Sequence, residues 1–322
     1  MKVISLFCGC GGLDLGFIKA GHEIIWANDN DKDSVETYKK NIDNRVVCGD
    51  ITKVELKDVP DGDIVIGGFP CQGFSIANLD RHTGDKRNQL YLELLRVIKG
   101  KKPKFFVAEN VPGILSLAKG KIFNMILDDF SNAGYKVSYS ILNAANYGSP
   151  QTRKRVVFFG IRKDINFITL FPPEPTHAEN PESSLFTKNL KKWVTLGVAL
   201  KGVSEPNEKS KFSNHVGTKH KVKINGYIGN RATNPNKPSP TIVGRGGGTG
   251  GPVIIPHPKL HRRLTPRECA RLMDFDDSFI FEGSISSQYR QIGNAVTINM
   301  AFNIAKCLPV KFNNKNKLNN RR

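Results

Sequence analysis

Residues 3–29 read VISLFCGCGGLDLGFIKAGHEIIWAND, and this stretch decides the fold. Its first five residues (VISLF) form a short apolar run with the length of a buried strand. Gly9, Gly11 and Gly12 then turn the chain, and a helical pattern occupies residues 13–20. Residues 23–28 (EIIWAN) give a second strand, and a helix is expected over 32–41. The alternation continues outward through DIVIGG (63–68), a helix near 89–98 and KFFVAEN (104–110). A helix near 122–132 and the strands KVSYSIL (136–142) and RVVFFGI (155–161) complete it. Apolar strands separated by amphipathic helices require a sheet covered on both faces, so the fold class is α/β with a doubly wound, mainly parallel, mixed sheet.

The texture changes near Phe171. Residues 172–258 are rich in Pro, Asn, Lys, Gly and Ser, and PNKPSP (235–240) and GRGGGTGG (244–251) are loops. Phe186, Trp193, Leu196, Tyr227, Ile228 and Ile242 still provide enough apolar surface for a second, smaller, loop-rich domain. Helical periodicity returns over residues 264–275, with Thr265 as N-cap and Pro266 at the first helical position, and again over 296–307. The expected organisation is residues 1–171 plus 285–310 as one domain, 172–284 as the smaller domain and hinge, and 311–322 as a basic, flexible tail.

At 322 residues the chain can bury a large core, and its 24% charged residues are those of a globular protein. No apolar run reaches the roughly 18–20 residues of a membrane span. The N-terminal apolar stretch is broken by glycines and Asp14, so a cytoplasmic location is expected. A net charge of +19 favours a polyanionic partner, of which nucleic acid is the commonest, although solvated lysines alone produce the same balance. The six cysteines have no CxxC spacing, so neither zinc nor structural disulfides are expected and no metal is assigned.

The glycine turn lets the backbone approach a ligand without Cβ clash. Asp29 ends the second strand, where a carboxylate can bind ribose hydroxyls. Asp50 and Ile51 follow a third short strand and suit an adenine edge and face. Together these residues describe an adenosine site on the carboxyl edge of the sheet. The order GxGG departs from the GxGxxG of a dinucleotide site, which weakens that alternative.

Phe69-Pro70-Cys71-Gln72 follows the strand DIVIGG. A thiol there sits on a loop held by a rigid scaffold, where a nucleophile belongs. A lone cysteine is more often a small buried hydrophobe, so the tetrapeptide alone leaves both readings open.

An ordered series of motifs resolves it. FCGCGG (7–12), FPCQ (69–72), ENV (109–111), QTRKR (151–155), RLTPRE (263–268) and GNAV (293–296) occur in the order found in bacterial type II DNA (cytosine-5) methyltransferases, which this chain resembles over residues 1–160 and 260–307. The resemblance implies the S-adenosylmethionine-dependent methyltransferase fold, that cofactor (leaving as S-adenosylhomocysteine), and methylation of C5 of a cytosine flipped out of double-stranded DNA. It implies Cys71 as the nucleophile at C6, Glu109 on N3 and the exocyclic amine, Arg155 at O2, and Arg153 in support. Around the cofactor it implies Phe7, Gly9, Gly11, Gly12, Leu13, Asp29, Asn30, Asp50, Ile51, Pro70, Leu90, Asn294, Ala295 and Val296. Asn30 stands where the family often has an aromatic residue, so stacking on adenine falls more to Phe7, Ile51 and Leu90. Ser75, Arg81 and Arg87 lie in the loop after Cys71 and are expected to meet phosphate. Residues 172–258 become the target-recognition region, with Thr241-Ile242-Val243 as its marker and Arg231, Thr241 and Arg245 as DNA contacts. The resemblance further implies a monomer, no membrane, and a functional but not physical link to a cognate restriction endonuclease. A tRNA cytosine-5 methyltransferase and a catalytically silent DNA-binding regulator are the alternatives.

Overall fold

The computed structural model describes residues 1–69, 89–181, 189–206, 210–217, 232–244, 255–259 and 262–311. Seven strands form one sheet: β1 (Lys2–Leu6), β2 (Glu23–Asp29), β3 (Val46–Cys48), β4 (Ile64–Gly68), β5 (Phe105–Asn110), β6 (Tyr135–Asn143) and β7 (Lys154–Arg162). Their order is β3-β2-β1-β4-β5-β7-β6. The first five are parallel, and β7 runs antiparallel to both β5 and β6. The sheet is therefore mixed at one end, where two consecutive strands form a hairpin.

Helices α1 (Gly12–Lys19), α2 (Lys32–Asn41), α3 (Gln89–Lys101) and α4 (Lys121–Asn132) connect the parallel strands and cover the sheet. The period-two geometry of a strand sends alternate side chains to opposite faces. Phe105 and Val107 join the core formed with α1 and α2, while Phe106 and Ala108 join the one formed with α3 and α4. Val157 and Phe159 divide from Val156 and Phe158 in the same way. This two-sided burial explains why these strands read as apolar runs in the sequence.

Beyond the sheet lie the short pair β8 (His177–Ala178) and β9 (Lys191–Lys192), then α5 (Leu196–Ala199), α6 (Pro266–Arg271), α7 (Ile285–Asn294) and α8 (Ile298–Ala305). α6 opens with a capping box: Glu268 N–H donates to Thr265 Oγ1, and Thr265 N–H donates to Glu268 Oε2. It ends at Arg271, earlier than the sequence pattern suggests, and the following turn carries Asp274 at φ 68. α8 starts two residues later than expected because Ala295 and Thr297 are extended. α8 returns to the sheet and packs on α1 so closely that a Cβ on Gly16 would collide with Ala301. Leu264, Cys269, Leu272, Phe275 and Phe281 share a third core with Cys10, Ile292 and Ile298. Residues 264–281 thus pack on the same elements that carry the C-terminal helices.

Candidate active site

In an open parallel sheet, ligands gather at the carboxyl ends of the strands, where the strand order reverses. That edge here bears Phe7 after β1, Asp29 ending β2, Gly49 and Asp50 after β3, Gly68 ending β4 with Phe69 after it, and Glu109 and Asn110 at the end of β5. All of them line one cleft of about 820 Å³. A volume of this size lies within the roughly 300–1,000 Å³ typical of small-molecule sites.

One end of the cleft is acidic and tied to backbone. Asp29 Oδ2 accepts the Gly9 N–H at 2.8 Å, and its Oδ1 accepts the Asp31 N–H at 2.8 Å. Burial pushes its carboxyl above the usual range, while these N–H bonds pull it back. Asn28 Nδ2 donates to the carbonyls of Val47 and Gly49, fixing the ends of β2 and β3 together. Asp50 accepts the Thr52 N–H at 3.0 Å and starts the turn that presents buried Ile51. Phe7 holds a left-handed backbone, φ 56, which is unusual for a bulky residue and concentrates at binding sites.

The other end is built around an ion pair. Arg155 Nε lies 2.7 Å from Glu109 Oε1, and each side chain is 12% exposed. Gly68 sits directly across the ladder from Glu109, and a Cβ there would come within 3.0 Å of Oε2. The missing side chain leaves room for the carboxylate. Asn110 Nδ2 donates to the Phe69 carbonyl at 2.9 Å, and its Oδ1 accepts the Val111 N–H. Asn110 thereby anchors the residue from which the FPCQ segment departs.

The predicted residues fall into three groups, with Thr241 apart from them. Phe7, Gly9, Asp29, Asn30, Asp50 and Ile51 line the cleft, as do Leu90, Glu109, Arg153, Arg155, Asn294 and Ala295. Gly11, Gly12, Leu13 and Val296 serve the scaffold beside it. Gly11 is the left-handed N-cap of α1 packed against Tyr38, Gly12 lies against the Val296 carbonyl, and Leu13 is in the core. Pro70, Cys71, Ser75, Arg81, Arg87, Arg231 and Arg245 lie outside the described residues. Thr241 donates its hydroxyl to the Thr152 carbonyl at 2.8 Å, so its side chain is committed within the protein.

Arg153 is fully buried and donates to three carbonyls: Ile242 at 2.6 Å, and Gly293 and Ala295 at 2.8 Å each. Burial, reinforced by the neighbouring Arg155, lowers its guanidinium to about 9. Sequence reasoning missed Asn110 as an anchor and Arg290, which lines the cleft and pairs with Asp31 at 2.9 Å. It also missed Asp14, buried where Ser5 and Tyr38 donate to its carboxylate and raised by burial to about 6. An acidic residue interrupting an otherwise apolar helix start was the available signal for Asp14. Among the described residues no cluster of His, Cys, Asp and Glu could hold a metal ion, and no helix is long and apolar enough to cross a membrane.

A mixed seven-stranded sheet with helices on both faces and its cleft at the strand ends is the S-adenosylmethionine-dependent methyltransferase fold. The family profile described as C-5 cytosine-specific DNA methylase matches residues 1–309. The chain is 40% identical to the type II methyltransferase M.NgoFVII of Neisseria gonorrhoeae, over 98% of this chain and 89% of that protein. It is 36% identical to M.FnuDI of Fusobacterium nucleatum, over 99% and 97%. A crystal structure of a candidate DNA modification methyltransferase from an Escherichia coli prophage superposes with a TM-score of 0.72 at 27% identity, covering 95% of this chain and 98% of the other. The Dnmt2 methyltransferase of S. pombe shares the fold, with a TM-score of 0.70 at 18% identity over 95% and 97%. The chain belongs to the C-5 cytosine-specific DNA methylase family, among its bacterial type II methyltransferases. Members of this family methylate double-stranded DNA and use S-adenosylmethionine.

Proposed function

We propose that this protein methylates C5 of one cytosine, flipped out of a short specific duplex site, by way of covalent addition of Cys71 to C6. The observation that carries the reading is the Glu109–Arg155 pair. It stands in the same cleft as Asp29, beside the strand end at Gly68 and Phe69 that leads into Cys71.

The cleft fits an adenosine cofactor. A carboxylate has about four acceptor positions, more than the backbone N–H groups around Asp29 occupy, so ribose hydroxyls can share it. Asp50 and Ile51 supply an acceptor and an apolar wall, and Phe7 and Leu90 add further apolar surface. When bound, S-adenosylmethionine supplies an electrophilic methyl group.

C5 of cytosine is too weak a nucleophile to take that methyl unaided. The Cys71 thiolate adds to C6, breaking the C5–C6 π bond and the ring's aromaticity and placing electron density on C5. As the entering base parts Glu109 from Arg155, the carboxyl takes a proton from solvent, gives it to N3 as charge builds there and recovers it when the ring is restored, while Arg155 stabilises the charge at O2. C5 then forms its bond to the methyl, loses its hydrogen as a proton to base, and the C6–S bond breaks to release the thiolate. Cysteine suits both halves because its thiolate is a strong nucleophile and a workable leaving group. A base stacked in a duplex exposes neither carbon face, so it must be flipped at a cost of a few kcal/mol. Ser75, Arg81 and Arg87 close over the flipped strand, and residues 172–258, including Arg231 and Arg245, read the site. The protein works as a monomer in the cytoplasm, protecting DNA from a cognate nuclease.

The test is labelled methyl transfer to duplex DNA and to tRNA, with bisulfite sequencing of DNA from expressing cells to define the site. Cys71→Ser is expected to reduce transfer to background, and 5-fluorocytosine at the target is expected to trap the wild type covalently. Normal turnover by Cys71→Ser would sink the covalent mechanism.

A further inference from the structure

The chain that leads into the recognition loops is also part of the cofactor cleft wall. Residues 239–244 are held along the start of β7: Thr152 N–H donates to the Ser239 carbonyl at 2.8 Å, and Ile242 N–H donates to Gln151 Oε1 at 3.0 Å. On its other side this segment abuts the end of α7. A Cβ on Gly293 would strike the backbone of Val243, and one on Gly244 would strike Asn294 Oδ1. Val243, Gly244, Asn294 and Ala295 all line the cleft. Between the two segments lies the Arg153 guanidinium, donating to Ile242 on one and to Gly293 and Ala295 on the other.

We propose that Arg153 is a positioning residue that couples DNA binding to cofactor binding, by fixing the recognition segment at Ile242 and the cofactor-side turn at Gly293 and Ala295 with one buried group. The inference rests on the proposed reading of residues 172–258 as the DNA-reading region. A planar guanidinium presents five donors in a rigid fork and accepts nothing, so it suits carbonyls converging from two segments. A shift of either segment that breaks these bonds leaves polar groups buried without partners, which the other segment must then relieve. Two ligands that each favour one arrangement of such a joint strengthen one another's binding reciprocally.

The experiment measures binding, not turnover. Fluorescence anisotropy gives the affinity for a short labelled duplex carrying the bisulfite-defined site, with and without saturating sinefungin, an unreactive cofactor analogue. Calorimetry gives the reverse, sinefungin affinity with and without the duplex. In the wild type each ligand is expected to tighten the other by the same factor, on the order of 5- to 150-fold. Arg153→Lys keeps the charge but not the fork, and its factor is expected to fall towards one while each ligand alone still binds. Gly244→Ala, which presses a methyl group on Asn294 without touching the buried charge, is expected to reduce the factor in the same direction. A wild-type factor of one overturns the inference, and so does an undiminished factor in Arg153→Lys. Thermal unfolding checks each fold, and where Arg153→Lys does not fold, Gly244→Ala decides by the same criterion. Failure of the wild type to bind duplex or sinefungin at all overturns the functional reading itself, which is a distinguishable result.

Discussion

The two ends of the cleft solve the same problem, holding carboxylates out of water, by different means. At the cofactor end Asp29 is satisfied by backbone N–H groups and has no cationic partner among the described residues, and burial raises its carboxyl. At the proposed cytosine end Glu109 is paired with Arg155 at 2.7 Å. Backbone donors cannot move or change charge, which suits a ligand that is only held. A charged side-chain pair can be divided when a base enters, which suits a ring whose charge changes during reaction. The contrast implies that damage to the pair appears in kcat and damage to the backbone-held end appears in KM for the cofactor.

Glu109→Gln offers the severest test of that division. It keeps the shape but removes the proton donor, and kcat is expected to fall about 10²- to 10⁴-fold with duplex affinity little changed. Steady-state kinetics against duplex concentration reads the split; a change confined to KM would break the comparison.

Asp14 tests how much of the cofactor end is scaffold. Its folded carboxyl is raised to about 6 from the usual 3.8, so between these values the folded state holds a proton that the unfolded chain has lost. Stability from this group therefore falls as pH rises through that window, by on the order of 3 kcal/mol, and is flat above it. Asp14→Asn lacks this dependence. The unfolding free energy of the wild type is expected to gain on the variant as pH drops from about 6 to 4; parallel pH profiles would falsify the assignment.

Asp29→Asn replaces a charged acceptor of two backbone N–H bonds. A hydrogen bond to a charged group is worth about 1.5–3 kcal/mol, so sinefungin affinity is expected to weaken roughly 10- to 150-fold. Its kcat at saturating cofactor is expected to stay near wild type, and an equal loss in kcat would show that the two ends are not separable. The smallest effect belongs to Arg290→Gln. The Arg290–Asp31 pair crosses the cleft mouth from α7 to the start of α2 with side chains 46% and 32% exposed. Exposed pairs contribute at most about 1 kcal/mol, so cofactor KM should change less than roughly fivefold, and less still in high salt.

These regions were unequally legible in the sequence. The strands β1, β2, β4, β5 and β7 announce themselves because burial on both faces demands apolar runs, and the residues that end them follow from the strands. Asp29, Asp50 and Glu109 are therefore legible as cleft-edge residues from the sequence, and all three line the cleft. Residues 172–258 carry no such period. Where described, they are held by side chains on backbone, as where Arg267 donates to the Ser213 carbonyl, or His215 Nε2 bonds the Ser204 carbonyl. Bonds of that kind leave no repeating pattern along the chain. Gly11 and Gly12 read in the sequence as ligand contacts, and in the fold a Cβ on either would collide with Ile42 or with the Val296 carbonyl.

The sequence by itself determined the alternation of strand and helix, the carboxylates at the strand ends and the motif order that defines the family. Each of these is encoded in neighbouring residues, through side-chain period and backbone reach. Only the tertiary structure decided the partners of the arginines. Arg153 bonds Gly293 across 140 residues, and Arg290 meets Asp31 across 259. A guanidinium donates to any carbonyl or carboxylate in reach, so its choice is made by where the folded chain brings the oxygens, not by what stands beside it in the sequence.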